Sequence, residues 1–212
     1  MNAPLAELRE LLFGDVPLSR WAGTGNEVPW SWFAEAAGYI DGGQPDLARA
    51  ALVRVLDQPG LESRHYLQAW YGLRGIGVQP PPAQARRVYG VVLDVPVAGG
   101  TDTLAAYADH GCRYLNHGGG AIVWDQPDPA MDQLVDRLLR AGQTVADQIG
   151  PWDGERPPLP AGVARLSLLC PSGLHFGQAP GDALPTDPLA GPTFAAGTEL
   201  LVALIERSEE SR

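Results

Sequence analysis

Val88-Tyr-Gly-Val-Val-Leu-Asp-Val95 is the stretch at which the chain changes character. Upstream, apolar residues recur every three or four positions, the spacing of helices. From Val88 onward they fall into short β-branched and aromatic runs broken by glycine, the signature of strands and tight turns. Thr103-Leu-Ala-Ala-Tyr-Ala108 follows the Gly99-Gly100 pair, and Asp109-His110-Gly111 reads as a hairpin turn in which Gly111 supplies the positive φ. Cys112-Arg-Tyr-Leu-Asn-His117, a Gly118-Gly119-Gly120 break and Ala121-Ile-Val-Trp124 complete an expected antiparallel meander of three or four strands.

Downstream, Asp128 followed by Pro129 is a strong helix start, an N-cap and an N1 proline. Met131, Leu134, Val135, Leu138, Leu139, Val145 and Ile149 form its apolar side, and Gly150-Pro151 ends it. Residues 151–192 hold nine of the 20 prolines and read mostly as loop. Within them lies a hairpin, Val163–Cys170 and Leu174–Gly177 around Pro171-Ser172-Gly173. A last helix is expected from about Phe194 to Glu206.

Upstream, four short helices are expected. Leu5, Leu8, Leu11 and Leu12 share one face ahead of Gly14; Pro29 opens a second helix that ends at Gly42-Gly43; Asp46 is the expected N-cap of the third, and Ser63 of the fourth. No motif repeats at a fixed period, so a solenoid is not indicated. The expected fold is therefore α+β: a helical region of residues 1–84 packed on an acidic domain of residues 85–212, in which an antiparallel sheet of about five to six strands is covered by two helices. This layout resembles small sensor and adaptor domains of the profilin and roadblock type, a likeness of layout alone.

Composition narrows the function. At 212 residues, 45% hydrophobic and 19% charged, the chain is long enough for a real core and too apolar for global disorder. All 15 basic residues are arginine. Without lysine the chain alone cannot be a P-loop enzyme, a protein kinase, a Schiff-base enzyme or a Ser-x-x-Lys acylase. Codon bias in a GC-rich genome is the ordinary cause of such a composition. The net charge is −10, of which −9 lies in residues 88–212 (seven Arg against 16 acidic residues), so binding to nucleic acid or to an anionic membrane is not expected. No apolar run approaches the roughly 18 residues of a membrane span, and charges near the N-terminus argue against a signal peptide. Two cysteines are too few for a disulfide scaffold, which points to the cytoplasm and reduced thiols.

Several residue sets invite a chemical reading. His117-Gly118-Gly119-Gly120 spells an oxyanion-hole sequence of some esterases, in which glycine lets backbone N–H groups reach a developing oxyanion. The Gly-x-Ser-x-Gly nucleophile elbow is missing, however; the nearest serine is Ser172, in Cys170-Pro-Ser-Gly-Leu174. Cys112-x4-His117 and Cys170-x4-His175 together offer a Cys2His2 zinc set. Strand alternation places Cys112 and His117 on opposite faces, which argues against zinc. No cofactor or metal is therefore expected. A Cys–His hydrolase needs a thiolate stabilised by an imidazolium or a helix N-terminus, and no helix start adjoins either cysteine. Asp125, Asp128, Asp132 and Asp136 lack the spacing of a calcium loop and suit capping and a solvated helix face.

Two binding surfaces are expected instead. His117, Gly119, Ser172, His175 and Gln178 are candidate binding residues from glycine-rich strand connections, and His117, Ser172, His175 and Gln178 would form a shared polar edge if those turns adjoin; the alternative is two unrelated turns at opposite ends of the sheet. Trp30 and Trp32, two of six tryptophans, cannot share one helix face, so one is either partly exposed or covered by Trp21 or by the second half. A cytoplasmic, non-catalytic binding or adaptor protein with a protein partner is the expected function. The alternatives are a small hydrolase using His117, His175, Ser172 or Cys170, and a zinc-stabilised module.

Overall fold

The computed structural model describes residues 3–22, 25–181 and 183–210. Six strands form one antiparallel sheet: β1 (Gly90–Val97), β2 (Gly100–Tyr107), β3 (Cys112–Leu115), β4 (Ala121–Trp124), β5 (Val163–Cys170) and β6 (Gly173–Pro180). Their order is β4-β3-β2-β1-β5-β6. β1 and β2 pair along their whole length, from Gly90–Tyr107 to Val97–Gly100, across a two-residue turn in which Gly99 has a φ of +93°. The ladder runs through Pro96, which lies beyond the last β1–β5 pair, Asp94–Arg165, where its missing N–H breaks no bond to β5.

The β2–β3 turn differs from expectation. His110, not Gly111, takes the left-handed conformation, with φ +65°. Three groups fix it. His110 N donates to Tyr107 O at 2.9 Å, Asp109 Oδ1 accepts from Gly111 N at 3.3 Å, and the imidazole reaches Asp136 at 3.2 Å and Asp132 at 3.6 Å. Histidine is among the non-glycine residues that tolerate this region best, so side-chain partners here replace glycine.

One face of the sheet carries helices α7 (Pro129–Ala146) and α8 (Gly191–Glu210). Asp128 caps α7 as expected, accepting from Ala130 N at 2.9 Å and Met131 N at 3.4 Å. The core between them contains Val91, Leu93, Leu104, Leu166 and Leu168 from the strands and Val135, Leu138, Leu200 and Leu204 from the helices. Close approach depends on two small residues. A Cβ on Gly142 would lie 2.8 Å from a Val91 methyl, and one on Gly197 2.2 Å from a Leu93 methyl.

The helical region covers the other face. It comprises α1 (Ala3–Glu10), α2 (Leu18–Ala22), α3 (Trp30–Asp41), α4 (Pro45–Asp57), α5 (Ser63–Gly75) and α6 (Pro82–Ala85). Leu12, Phe13 and Leu67 pack on Val92, Ala105, Tyr107, Leu115 and Leu169, while Phe33, Leu52, Val55 and Leu73 form a core of the region's own. The side chains of Leu5 and Trp21 lie outside the described residues. Two expected caps are corrected. Gln44 precedes α4 and Pro45 is its N1 residue, so Asp46 sits inside the first turn. Glu62 precedes α5, and Ser63 instead exchanges hydrogen bonds with Asp109: Ser63 N donates to Asp109 Oδ2 at 2.9 Å, and Asp109 N to Ser63 Oγ at 3.1 Å. No helix among the described residues is long and apolar enough to cross a membrane.

Candidate functional site

A cleft of about 1100 Å³ opens where the helical region meets the β5–β6 end of the sheet. Its walls are the segment after α1, the C-terminal turn of α5, the 151–156 loop and the β5–β6 turn. Arg156 organises one wall. Its guanidinium binds Glu10 at 2.6 Å and Asp15 at 3.1 Å, and stacks 3.8 Å from the centroid of the Phe13 ring. Burial alone would raise the Glu10 carboxyl; the hydrogen bond and charge of Arg156 outweigh it and hold that carboxyl below its usual range.

Arg74, in the last turn of α5, has different surroundings. Its Nη1 donates to the Pro171 carbonyl, and no described carboxylate forms an ion pair with it. Burial pulls the guanidinium below its ordinary value, with Asp15 acting only from a distance. Gly173 lies beside it: a Cβ there would sit 3.8–3.9 Å from Nε, Cζ and Nη2, so glycine leaves that flank of the guanidinium bare. Trp152 is 49% exposed, holding its indole N–H on Glu155 O at 3.0 Å and its ring 5.2 Å from Phe176.

Ser172 also lines this cleft, and His175 stands behind it. Ser172 Oγ is 3.0 Å from His175 Nε2 and 2.5 Å from Ala85 O, while His175 Nδ1 is 3.1 Å from Ile149 O. His175 is fully buried. That burial, reinforced by the positive charge of Arg86, keeps the imidazole below its ordinary value against the opposing hydrogen bond to Ile149. A neutral ring that donates from Nδ1 to Ile149 leaves Nε2 as an acceptor, so the single Ser172 proton then faces two acceptors, Nε2 and the nearer Ala85 carbonyl. The pair ties α6 to the sheet and also has the contact geometry of a nucleophile and its base.

His117 does not join them. It follows β3 and packs beside Gly99 and Gly100, at the end of the sheet where β1 finishes, whereas Ser172 and His175 lie at the end where β1 begins. The eight residues of β1 separate the two ends by about 25 Å at some 3.3 Å per residue. Each end is built separately. His117 Nδ1 and its backbone N–H both meet Asp102 Oδ1 at 2.9 Å, and Tyr114 donates to Asp102 Oδ2 at 2.7 Å. Burial would raise the Asp102 carboxyl, but these bonds hold it below its usual range. Gly119, with φ +98°, lies in a loop closed by Asn116, whose Oδ1 accepts from Gly120 N at 2.8 Å. Gln178 is absorbed elsewhere. Its Oε1 accepts from Arg165 at 2.6 and 3.0 Å, and Arg165 also donates to Pro157 O at 2.8 Å and Pro158 O at 3.0 Å, pinning the proline-rich loop to the sheet. The shared polar edge of His117, Ser172, His175 and Gln178 therefore does not form.

Trp30 and Trp32 are both half-buried against the core of the helical region. Trp30 meets His65 edge-on at 4.8 Å, and Arg54 covers Trp32 at 5.3 Å. Cys112 and Cys170 are buried, with thiols pushed up to about 12 by desolvation. Among the described residues no group of three or more His, Cys, Asp or Glu side chains could hold a metal ion.

Comparison of the chain with family models, with curated proteins and with solved structures finds no match in any of the three. The site therefore rests on its own geometry. Sequence reasoning found Ser172 and His175 but missed Arg74 and Trp152. Arg74 is one arginine among 15, and only the fold sets it against a glycine at +123°.

Proposed function

We propose that the protein is a non-catalytic, cytoplasmic binding or adaptor protein that holds a polypeptide segment of a partner in the cleft between the helical region (residues 1–84) and the acidic α+β domain (residues 85–212). The cleft carries this reading. Its volume of about 1100 Å³ lies at the top of the roughly 300–1,000 Å³ range of small-molecule pockets, enough for several residues of a peptide. Its wall combines the half-exposed Trp152 with the polar side chains of Arg74 and Ser172, a mixture suited to a peptide. Two buried, unpaired thiols suit a reducing compartment, and the net charge of −10 disfavours nucleic acid.

The test is a selection from a random short-peptide library against the wild-type chain and Gly75→Trp. Gly75 lines the cleft, and nothing lies within 4 Å of where its Cβ would be, so an indole there fills the cleft without a clash at its base. Peptides that bind the wild type and lose at least about tenfold in affinity, or about 1.4 kcal/mol, to an equally stable Gly75→Trp protein support the reading. No enriched peptide, or peptides indifferent to the substitution, refute it.

One observation favours a second reading, a small hydrolase: Ser172 Oγ sits 3.0 Å from His175 Nε2 and faces the cleft. A fluorophosphonate probe that labels the wild type and fails to label both Ser172→Ala and His175→Gln would favour it. An unlabelled wild type would remove it.

A further inference from the structure

Arg74 differs from Arg156, the other half-buried arginine lining the cleft. Arg156 is neutralised by Glu10 and Asp15, and both Asp15 oxygens are occupied by that pairing. The guanidinium of Arg74 meets the Pro171 carbonyl, which supplies a partial charge where a half-buried cation needs a whole one. Arginine presents five N–H donors in a planar fork that matches a carboxylate or phosphate. Gly173 keeps one flank of that fork uncovered. Ser172 on the same turn adds a hydroxyl oxygen to the floor, and Trp152 adds an open aromatic surface.

The surroundings decide which anion fits. Asp41, Asp153 and Glu155 also line the cleft, inside a chain whose net charge is −10. Arg20 lines the cleft as well, so a phosphate dianion entering there meets the guanidiniums of Arg20 and Arg74 together with several repelling carboxylates. A single carboxylate halves both the attraction and the repulsion, because Coulomb energies scale with the product of the charges; what favours it is the smaller cost of taking one charge rather than two out of water beside the half-buried Arg74.

We propose that Arg74 is the carboxylate anchor of the cleft: a partner peptide places one carboxylate, from an Asp or Glu side chain or from its C-terminus, in a paired hydrogen bond with the Arg74 guanidinium beside Gly173. The inference rests on the cleft being a peptide site and names the chemistry of its ligand. The aromatic surface of Trp152 takes an apolar residue of the same peptide.

The experiment uses the full chain and an array of random short peptides in matched sets: free C-terminus, C-terminal amide, acidic side chains replaced by Asn or Gln, and both changes together. Binding is read by fluorescence polarisation for the wild type, Arg74→Gln, Arg74→Lys and Gly75→Trp. For wild-type binders, replacing the carboxylate with an amide is expected to weaken binding at least about tenfold, the scale of a charge-assisted bidentate pair. The same replacement should matter little in Arg74→Gln. The arm that shows the loss, terminal amide or side-chain amide, identifies the source. Arg74→Lys keeps the charge and loses the fork, so it should bind more weakly than wild type; it carries the test if Arg74→Gln does not fold. Peptides that bind, are blocked by Gly75→Trp and are indifferent to both Arg74 variants overturn the anchor while leaving the cleft reading intact. If no peptide is blocked by Gly75→Trp, both fall together.

Discussion

Arg9→Met should be among the most destabilising single changes at the joint between the helical region and the sheet. Asp94, in the middle of β1, is fully buried. It accepts from Thr103 Oγ1 at 2.7 Å and from Arg9 at 2.8 and 3.3 Å. The Arg9 side chain is only 12% exposed, so solvent does little to screen the pair. Removing the arginine leaves a buried carboxylate with one hydroxyl donor and only the through-space charge of Arg165 across β1–β5, and breaking such a pair costs about 3–5 kcal/mol. A surface pair would cost under about 1 kcal/mol. The two estimates are far enough apart for urea denaturation to choose between them. At a slope of about 2 kcal/mol/M, the midpoint should fall by roughly 1.5–2.5 M. Combining Arg9→Met with Asp94→Asn removes the orphan charge while keeping a polar partner for Thr103, and should recover more than half of the loss. A loss below 1 kcal/mol for Arg9→Met alone, or no recovery in the double variant, would refute the claim that this ion pair holds α1 against β1.

Three further outcomes follow from the same structure. Gly197→Ala places a methyl 2.2 Å from Leu93 Cδ1 in a filled core, so thermal denaturation should show a loss of about 1–3 kcal/mol or more; an unchanged melting temperature would mean that α8 is not packed as described. Gly111→Ala should cost less than about 1 kcal/mol, because His110 and not Gly111 holds the positive φ and the nearest atom to the new Cβ, Asp125 Oδ1 at 3.1 Å, ends a flexible exposed side chain; a larger loss would return the strain to Gly111. His175 is held neutral by burial, so the unfolded chain takes up a proton first as pH falls through the ordinary histidine value of about 6.5. Stability contributed by His175 is therefore present above that value and lost below it, down to the depressed folded pKa. His175→Gln should flatten the pH dependence of the unfolding free energy just below pH 6.5, and parallel wild-type and variant curves would show that the group is not shifted.

The parts of the fold legible in the chain were those set by local periodicity and turn chemistry. Asp128-Pro129 capped α7 as read, and the hairpin expected around Pro171-Ser172-Gly173 forms as β5 and β6. What escaped was set by distant partners. Gly111 was the natural candidate for a left-handed turn, but Asp132 and Asp136 on α7 hold His110 in that role. Ser63 has the chemistry of an N-cap, yet Asp109, 46 residues away, claims both its hydroxyl and its N–H. Asp94 reads as a polar interruption in an apolar strand until Arg9 arrives across 85 positions. His117 and His175 share a motif spacing that suggests proximity, and the β1–β2 and β1–β5 registers send them to opposite ends of the sheet.

These distant contacts also bear on binding. The helical region is tied to the sheet by Arg9–Asp94, Ser63–Asp109, the Tyr107 hydroxyl on Leu12 O at 2.8 Å, the Ser172 hydroxyl on Ala85 O at 2.5 Å, and Arg74 on Pro171 O. Two of the five, those of Arg74 and Ser172, lie in the wall of the cleft. A carboxylate on Arg74 would add a whole charge to a contact now made by a carbonyl alone, so the ligand and the joint share one residue. Any ligand that binds the folded chain and not the unfolded one stabilises it, by about 2.7 kcal/mol at a hundred times its Kd. Here the gain should appear first as slower amide exchange at the end of α5 and in the β5–β6 turn, the two elements that Arg74 joins. Protection confined to α7 and α8, on the far face of the sheet, would place the ligand elsewhere.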